Sequence, residues 1–110
     1  MIRRSVLLAA TALACGLSAA PAVSVGTHHE ILMRGNSFSP RTITVSVGDT
    51  VVWRNVDIVR HNATRPEAFE SGDLRGGASF SWVAADTGEV RYRCTIHQRM
   101  RGTLTVVAKK

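Results

Sequence analysis

The chain has 110 residues, enough for one small domain and too few for several. Its formal net charge is +6, and removal of Arg3 and Arg4 would leave +4. This mild basic excess suits an acidic protein partner. It does not indicate nucleic-acid binding, because the sequence has no basic stripe interleaved with aromatic residues.

The first 22 residues have the pattern of a secretory signal peptide. A short positive patch at residues 1–4 precedes an apolar stretch that runs from Ser5 to about Leu17, and Ala20-Pro21-Ala22 fits a small-residue cleavage site. The apolar stretch is too short to cross a bilayer comfortably. We therefore predict cleavage after Ala22, a mature domain at residues 23–110, and export to the periplasm.

Cys15 lies at the end of the apolar stretch, where a lipid could be attached. The preceding Leu13 sits one place too late for that signal, so we expect Cys15 to be discarded with the signal peptide. The mature chain then keeps a single cysteine, Cys94, in an oxidising compartment. Because it can form no internal disulfide, this thiol is either reactive or a metal ligand, and we favour the metal ligand.

From Glu30 onward, short alternations of apolar and polar residues predict a series of strands. Trp53 and Trp82 fall on inward-facing positions, and no segment reads convincingly as a helix. Residues 56–77 form one long irregular stretch. Six or seven short strands of this kind predict an all-β, Greek-key β-sandwich. The predicted strands are residues 31–33, 42–47, 50–55, 79–82, 90–94 and 103–106, with turns at Gly35-Asn36, Gly48-Asp49 and residues 86–88.

Three soft donors recur at three-residue intervals near the C-terminus, in Cys94-Thr95-Ile96-His97-Gln98-Arg99-Met100. A thiolate, an imidazole and a weak thioether, with no carboxylate, suit a thiolate-bound copper centre. Such a centre needs a second imidazole, and His61 is the candidate because it also follows a strand-like segment. We predict one copper ion per chain, bound by His61, Cys94, His97 and Met100.

Each of these residues also has an ordinary structural interpretation. Cys94 could be a small buried side chain, His97 an exposed loop residue, and Met100 part of the core. A zinc site usually brings more cysteines or carboxylates, and a covalent haem needs a second cysteine before its histidine, which is absent. The adjacent His28 and His29 lack any partner spacing, and we expect them to be solvated.

The segment from Tyr92 to Gly102, together with Val47-Gly48-Asp49-Thr50-Val51-Val52-Trp53 and His61-Asn62, resembles the cupredoxins. Within that family the amicyanins are the most similar group, since they share a short Cys-x2-His-x2-Met loop followed by Arg-Gly. The resemblance covers nearly the whole mature chain, from about Glu30 to Val107. It implies that Asn62 ties the His61 segment to the Thr95 backbone, and that electrons enter or leave at His97.

The loop departs from the amicyanin pattern at Ile96, Gln98 and Arg99, where that group has proline, proline and phenylalanine. We therefore expect a smaller and more charged patch around His97, which weakens the case for the amine-dehydrogenase partner of that group. Several arginines crowd the ligands in the sequence, and they form either a solvated face or a docking surface for an acidic partner. They are Arg60, Arg91, Arg93, Arg99 and Arg101.

The function predicted from the sequence is that of a monomeric, periplasmic one-electron carrier that cycles between Cu(I) and Cu(II) and serves redox protein partners. It is not predicted to be an enzyme, because oxidases built from such domains need several of them and His-x-His pairs. Two alternatives remain open. One is a copper storage or delivery protein, and the other is a metal-free β-sandwich interaction module.

Overall fold

A computed structural model describes residues 26–109 of the chain. The predicted signal peptide at residues 1–22, its cleavage site and Cys15 lie outside these residues. The described part contains nine strands, which are β1 (His28–Arg34), β2 (Ser37–Ser39), β3 (Thr42–Ser46), β4 (Thr50–Asn55), β5 (Thr64–Arg65), β6 (Phe69–Glu70), β7 (Ser79–Val83), β8 (Gly88–Arg93) and β9 (Arg101–Val107).

The strands form two sheets that enclose one core, which confirms the predicted β-sandwich. One sheet has the order β2-β1-β4-β7, and the other has the order β3-β9-β8-β5-β6. The pairs β1–β4 and β3–β9 are parallel, and the remaining pairs are antiparallel. Between residues 26 and 109, no helix is long and apolar enough to cross a membrane.

The predicted turns lie where the sequence placed them, but residues 56–77 are more ordered than predicted. Gly35 and Asn36 both have positive φ angles, 58° and 55°, as a tight two-residue hairpin between β1 and β2 requires. The prediction of an irregular stretch was wrong in part, because it contains β5, β6 and a bridge between His61 and Leu74. Strands of two residues are too short to show an alternating pattern.

The core is an aromatic cluster centred on Trp53, which has no solvent exposure. Its ring lies 4.8 Å from that of Phe69 and 5.4 Å from that of Tyr92, so it joins the two sheets. Trp82 packs against the same cluster while remaining partly exposed. The inward positions predicted for both tryptophans are therefore confirmed.

Asp49 fastens the turn between β3 and β4 to the start of β1. Its carboxylate accepts hydrogen bonds from the Ser46 amide at 2.9 Å and the Thr27 amide at 3.0 Å, and it contacts His29 Nε2 at 2.9 Å. His29 is therefore only partly solvated, because it packs against Asp49, whereas His28 is exposed as expected. The hydrogen bonds from the Ser46 amide and from His29 lower the pKa of Asp49, even though burial opposes them.

This lowered pKa predicts an acid-sensitive contribution to folding. Asp49 stabilises the fold above its unfolded-state pKa of about 4, and this stabilisation is lost as the pH falls through the lower folded-state pKa. We expect the denaturant midpoint of Asp49→Asn to fall less between pH 7 and pH 3 than that of the unsubstituted protein. The exposed Asp86→Asn serves as the control and should follow the unsubstituted protein. An equal fall in the Asp49 variant would contradict this role.

Candidate metal centre

Three of the four predicted ligands lie on one tight hairpin between β8 and β9. Cys94 directly follows β8, and Met100 directly precedes β9. The Cys94 amide donates to the Met100 carbonyl, and the Met100 amide donates to the His97 carbonyl, both at 3.0 Å. Cys94 and Met100 are 1% exposed, and His97 is half-buried. The loop therefore closes on itself, with both sulfur-bearing residues buried at its base.

The fourth predicted ligand, His61, comes from a separate segment that follows β4. Its backbone pairs in both directions with Leu74, and its side chain is completely buried. The His61 Nδ1 lies 3.2 Å from Nδ1 of His97. The His97 Nδ1 in turn lies 3.8 Å from the Cys94 sulfur. Ligand atoms of the three residues all lie within 4.8 Å of one another. The structure thus joins His61, Cys94 and His97 in a group that could hold a metal ion.

A hydrogen bond from its Nε2 to the carboxylate of Asp57 orients the buried His61 ring. The His61 Nε2 contacts Asp57 Oδ2 at 2.7 Å, which leaves Nδ1 turned towards the group of ligand atoms. Burial opposes ionisation of Asp57, but the amides of Gly35 and Asn36 and the imidazole of His61 lower its pKa. A ligand histidine held by a carboxylate on its other nitrogen has a fixed tautomer and a fixed ring direction.

The backbone around Asp57 is itself held by a buried amide. Asn55 Oδ1 accepts from the Asp57 amide at 2.9 Å, and Asn55 Nδ2 donates to the carbonyls of Val59 and Leu74. The sequence analysis named neither Asn55 nor Asp57 as a functional residue. Their role depends on the β1–β2 turn and on Leu74, which are distant along the chain. The one local signal in the sequence was that Asp57 precedes the candidate ligand His61 by four residues.

Asn62 links the two ligand-bearing segments, as the cupredoxin resemblance implied. Its Oδ1 accepts from the Thr95 amide at 3.0 Å, and its Nδ2 donates to Thr95 Oγ1 at 2.8 Å and to Asp73 at 3.1 Å. Thr64 also donates to Oδ1, and the Asn62 amide points at the Cys94 sulfur at 3.5 Å. This asparagine is 3% exposed, so the Asn62 end of the link is buried, whereas Thr95 and Asp73 reach the surface.

Comparison with solved structures places this geometry among known proteins. No protein-family model and no curated protein matches the chain. Among solved structures, a purple cupredoxin from Nitrosopumilus maritimus is 30% identical, with a TM-score of 0.65 over 72% of this chain and 99% of its own. The chain is a cupredoxin.

Two further structures show how widely this fold is shared. A copper-containing nitrite reductase from Thermus scotoductus SA-01 is 30% identical with a TM-score of 0.68, over 74% of this chain. This cupredoxin spans only 23% of the length of that enzyme. The oxidised state of an amicyanin variant is 24% identical with a TM-score of 0.69, over 74% of this chain and 83% of its own, which shows a common fold.

The donor set of this cupredoxin fits its cofactor. A thiolate and two imidazole nitrogens, with no carboxylate among them, suit copper better than hard cations, which prefer oxygen. The fold and the His61–Cys94–His97 group together support one copper ion per chain. The predicted cofactor is therefore confirmed.

The surface around the half-buried His97 is mixed in character. Ile96 is 46% exposed beside it, and the following residues Gln98 and Arg99 are exposed and polar. The expected charged component is therefore present in Arg99, and Ile96 adds an apolar component.

Proposed function

We propose that this cupredoxin is a one-electron carrier in which His61, Cys94, His97 and Met100 hold a single copper ion. The observation that supports this most directly is the convergence of two imidazole Nδ1 atoms and one thiol from two separate segments. A bound copper ion would supply a Cu(I)/Cu(II) couple. Met100 would complete the proposed set as a weak thioether ligand, because it is buried at the base of the same loop.

The surrounding residues support a carrier by keeping the site rigid. Asp57 fixes the ring of His61, and Asn62 holds the His61 segment against Thr95. A site held in one arrangement needs little rearrangement when its charge changes by one electron. His97 is the half-buried member of the group, so we propose that electrons enter and leave at its ring.

The cellular setting is also a proposal. The signal-peptide pattern at residues 1–22 supports a periplasmic location, and the basic net charge supports a redox partner with an acidic surface. We propose that the mature chain acts as a monomer and turns over no substrate of its own. The nitrite reductase shares this fold over a minor part of its length, so we do not propose its enzymatic activity for this chain.

Voltammetry of the copper-loaded mature chain, residues 23–110, tests the carrier against the delivery alternative. We expect a reversible one-electron wave that survives repeated cycling in the presence of an equimolar copper chelator. His97→Ala should lose the reversible wave, whereas the exposed histidine variant His28→Ala should keep it. Transfer of copper to the chelator upon reduction would support delivery instead, and failure to bind one equivalent of copper would support the metal-free module.

A further inference from the structure

A basic cleft lies on the outer face of the five-stranded sheet, next to the metal centre. Its volume is about 480 Å³, and β5, β8 and β9 provide most of its walls. No acidic residue lines it. The polar side chains that line it are four arginines and two threonines, which are Arg65, Arg91, Arg93, Arg101, Thr64 and Thr103.

The strand register concentrates positive charge at this point. Arg93 stands directly opposite Arg101 across β8 and β9, and Arg93 also faces Thr64 on β5. Like charges at opposed positions of a sheet are destabilising. Placing Arg93 opposite Arg101 therefore costs electrostatic energy, and the pair adds nothing to the packing of the core. This is the pattern expected of a binding surface.

Carboxylates of the chain itself neutralise little of this charge. Arg91 pairs with Glu89, but no ion pair within residues 26–109 involves Arg65, Arg93 or Arg101. Arg101 donates through Nε to the Gln98 carbonyl, a neutral acceptor. Glu70 on β6 is opposite Thr64, at the end of the row of residues that crosses β9, β8 and β5. It does not line the cleft.

The depth of the cleft comes from its floor. Tyr92 and Gly102 face each other in the register between the outward-facing arginines, and both are buried. A Cβ atom on Gly102 would clash with the Tyr92 ring on the core side of the sheet, so both positions point away from the cleft and leave backbone at its floor. Outward-facing side chains are thus confined to the walls, where the guanidinium groups stand.

The spacing of the arginines indicates the size of the ligand. Neighbouring strands lie about 4.8 Å apart and residues two apart on one strand about 7 Å apart, so the diagonal from Arg91 on β8 to Arg101 on β9 is roughly 8 Å. That span is too wide for one phosphate group to contact every arginine. It suits several carboxylates on one segment, each of which can accept two parallel hydrogen bonds from a guanidinium fork.

The cleft also lies directly beside the metal ligands. Arg93 directly precedes Cys94, and Arg101 directly follows Met100. The pair of strands β8 and β9 therefore carries these arginines on its outer face and the two proposed sulfur ligands at its end. We propose that this arginine cleft is the docking site for a carboxylate-rich segment of a protein partner. Its identity as a redox partner rests on the proposed function, whereas the binding itself does not require copper.

Titration of the metal-free mature chain with an N-acetylated hexaglutamate peptide at low ionic strength tests the docking site. We expect amide resonances of Thr64, Arg93 and Thr103 to shift, and the double variant Arg93→Gln/Arg101→Gln to bind at least tenfold more weakly. The matched control Arg34→Gln/Arg75→Gln changes the net charge equally at exposed positions outside the cleft, and it should weaken binding threefold at most.

Three results would overturn the proposal. Equal weakening in the two double variants would assign binding to net charge alone. Inorganic phosphate or a DNA duplex that binds the cleft as tightly as the peptide would assign it a different ligand class. No measurable peptide binding by the folded protein would remove the site. Because the experiment uses metal-free protein, none of these results depends on whether the copper centre carries electrons.

Discussion

Cys94→Ser is expected to abolish the intense visible absorption of the copper-loaded mature chain. Such absorption arises from charge transfer between a thiolate and Cu(II), and Cys94 supplies the sulfur of the His61–Cys94–His97 group. We therefore expect a strong absorption band in the visible range for the unsubstituted protein. A spectrum with one equivalent of Cu(II) measures the effect.

Met100→Leu is the matched comparison for this substitution. It removes the proposed thioether ligand but leaves the thiolate and both imidazoles, so the variant should remain intensely coloured with a changed spectrum. If Cys94→Ser loses its colour and Met100→Leu keeps it, the absorption band is assigned to the thiolate. A colourless unsubstituted protein, or a serine variant that stays coloured, would show that Cys94 is not a copper ligand.

Asn62→Ala is expected to cause a large loss of stability while leaving every proposed ligand in place. The truncation leaves the Thr95 amide and Asp73 without a buried partner, and it also removes the acceptor for Thr64. The four side-chain hydrogen bonds that are lost are partly buried, and a typical one contributes about 0.5–1.5 kcal/mol, so we expect the free energy of unfolding to fall by about 2–4 kcal/mol. Denaturant unfolding of the metal-free protein measures this loss.

Thr95→Val provides the control because it removes only one of these hydrogen bonds. Asn62 Oδ1 can still accept from the amide of residue 95, and Nδ2 can still donate to Asp73. Since a typical hydrogen bond contributes about 1 kcal/mol, this variant should lose about 1 kcal/mol or less. Similar losses in the two variants would mean that Asn62 is an ordinary turn residue and does not link the segments.

Much of the fold was predictable because its longer strands alternate regularly. Thr42–Ser46 and Thr50–Asn55 show this alternation, and glycine marks the turn between them. Thr64–Arg65 and Phe69–Glu70 could not be predicted in the same way. Two residues carry no period, and these strands exist because β8 pairs with one and the core takes up Phe69 from the other.

The ligands were more predictable than the residues that support them. The spacing of Cys94, His97 and Met100 along one loop is visible in the sequence, and the loop needs a second imidazole, which selects His61. The buried contact of Asp57 with His61 was not visible, because a turn far along the chain supplies two of the hydrogen bonds that hold this carboxylate. Supporting contacts of this kind depend on tertiary structure.

X-ray absorption fine structure at the copper edge tests the proposed coordination most directly. For the mature chain loaded with one equivalent of Cu(II), we predict one short copper–sulfur bond and two imidazole nitrogens, and for His61→Ala one imidazole fewer. His28→Ala should match the unsubstituted protein. A first shell of nitrogen and oxygen without sulfur, or an unchanged imidazole count in His61→Ala, would contradict a copper ion held jointly by the two segments.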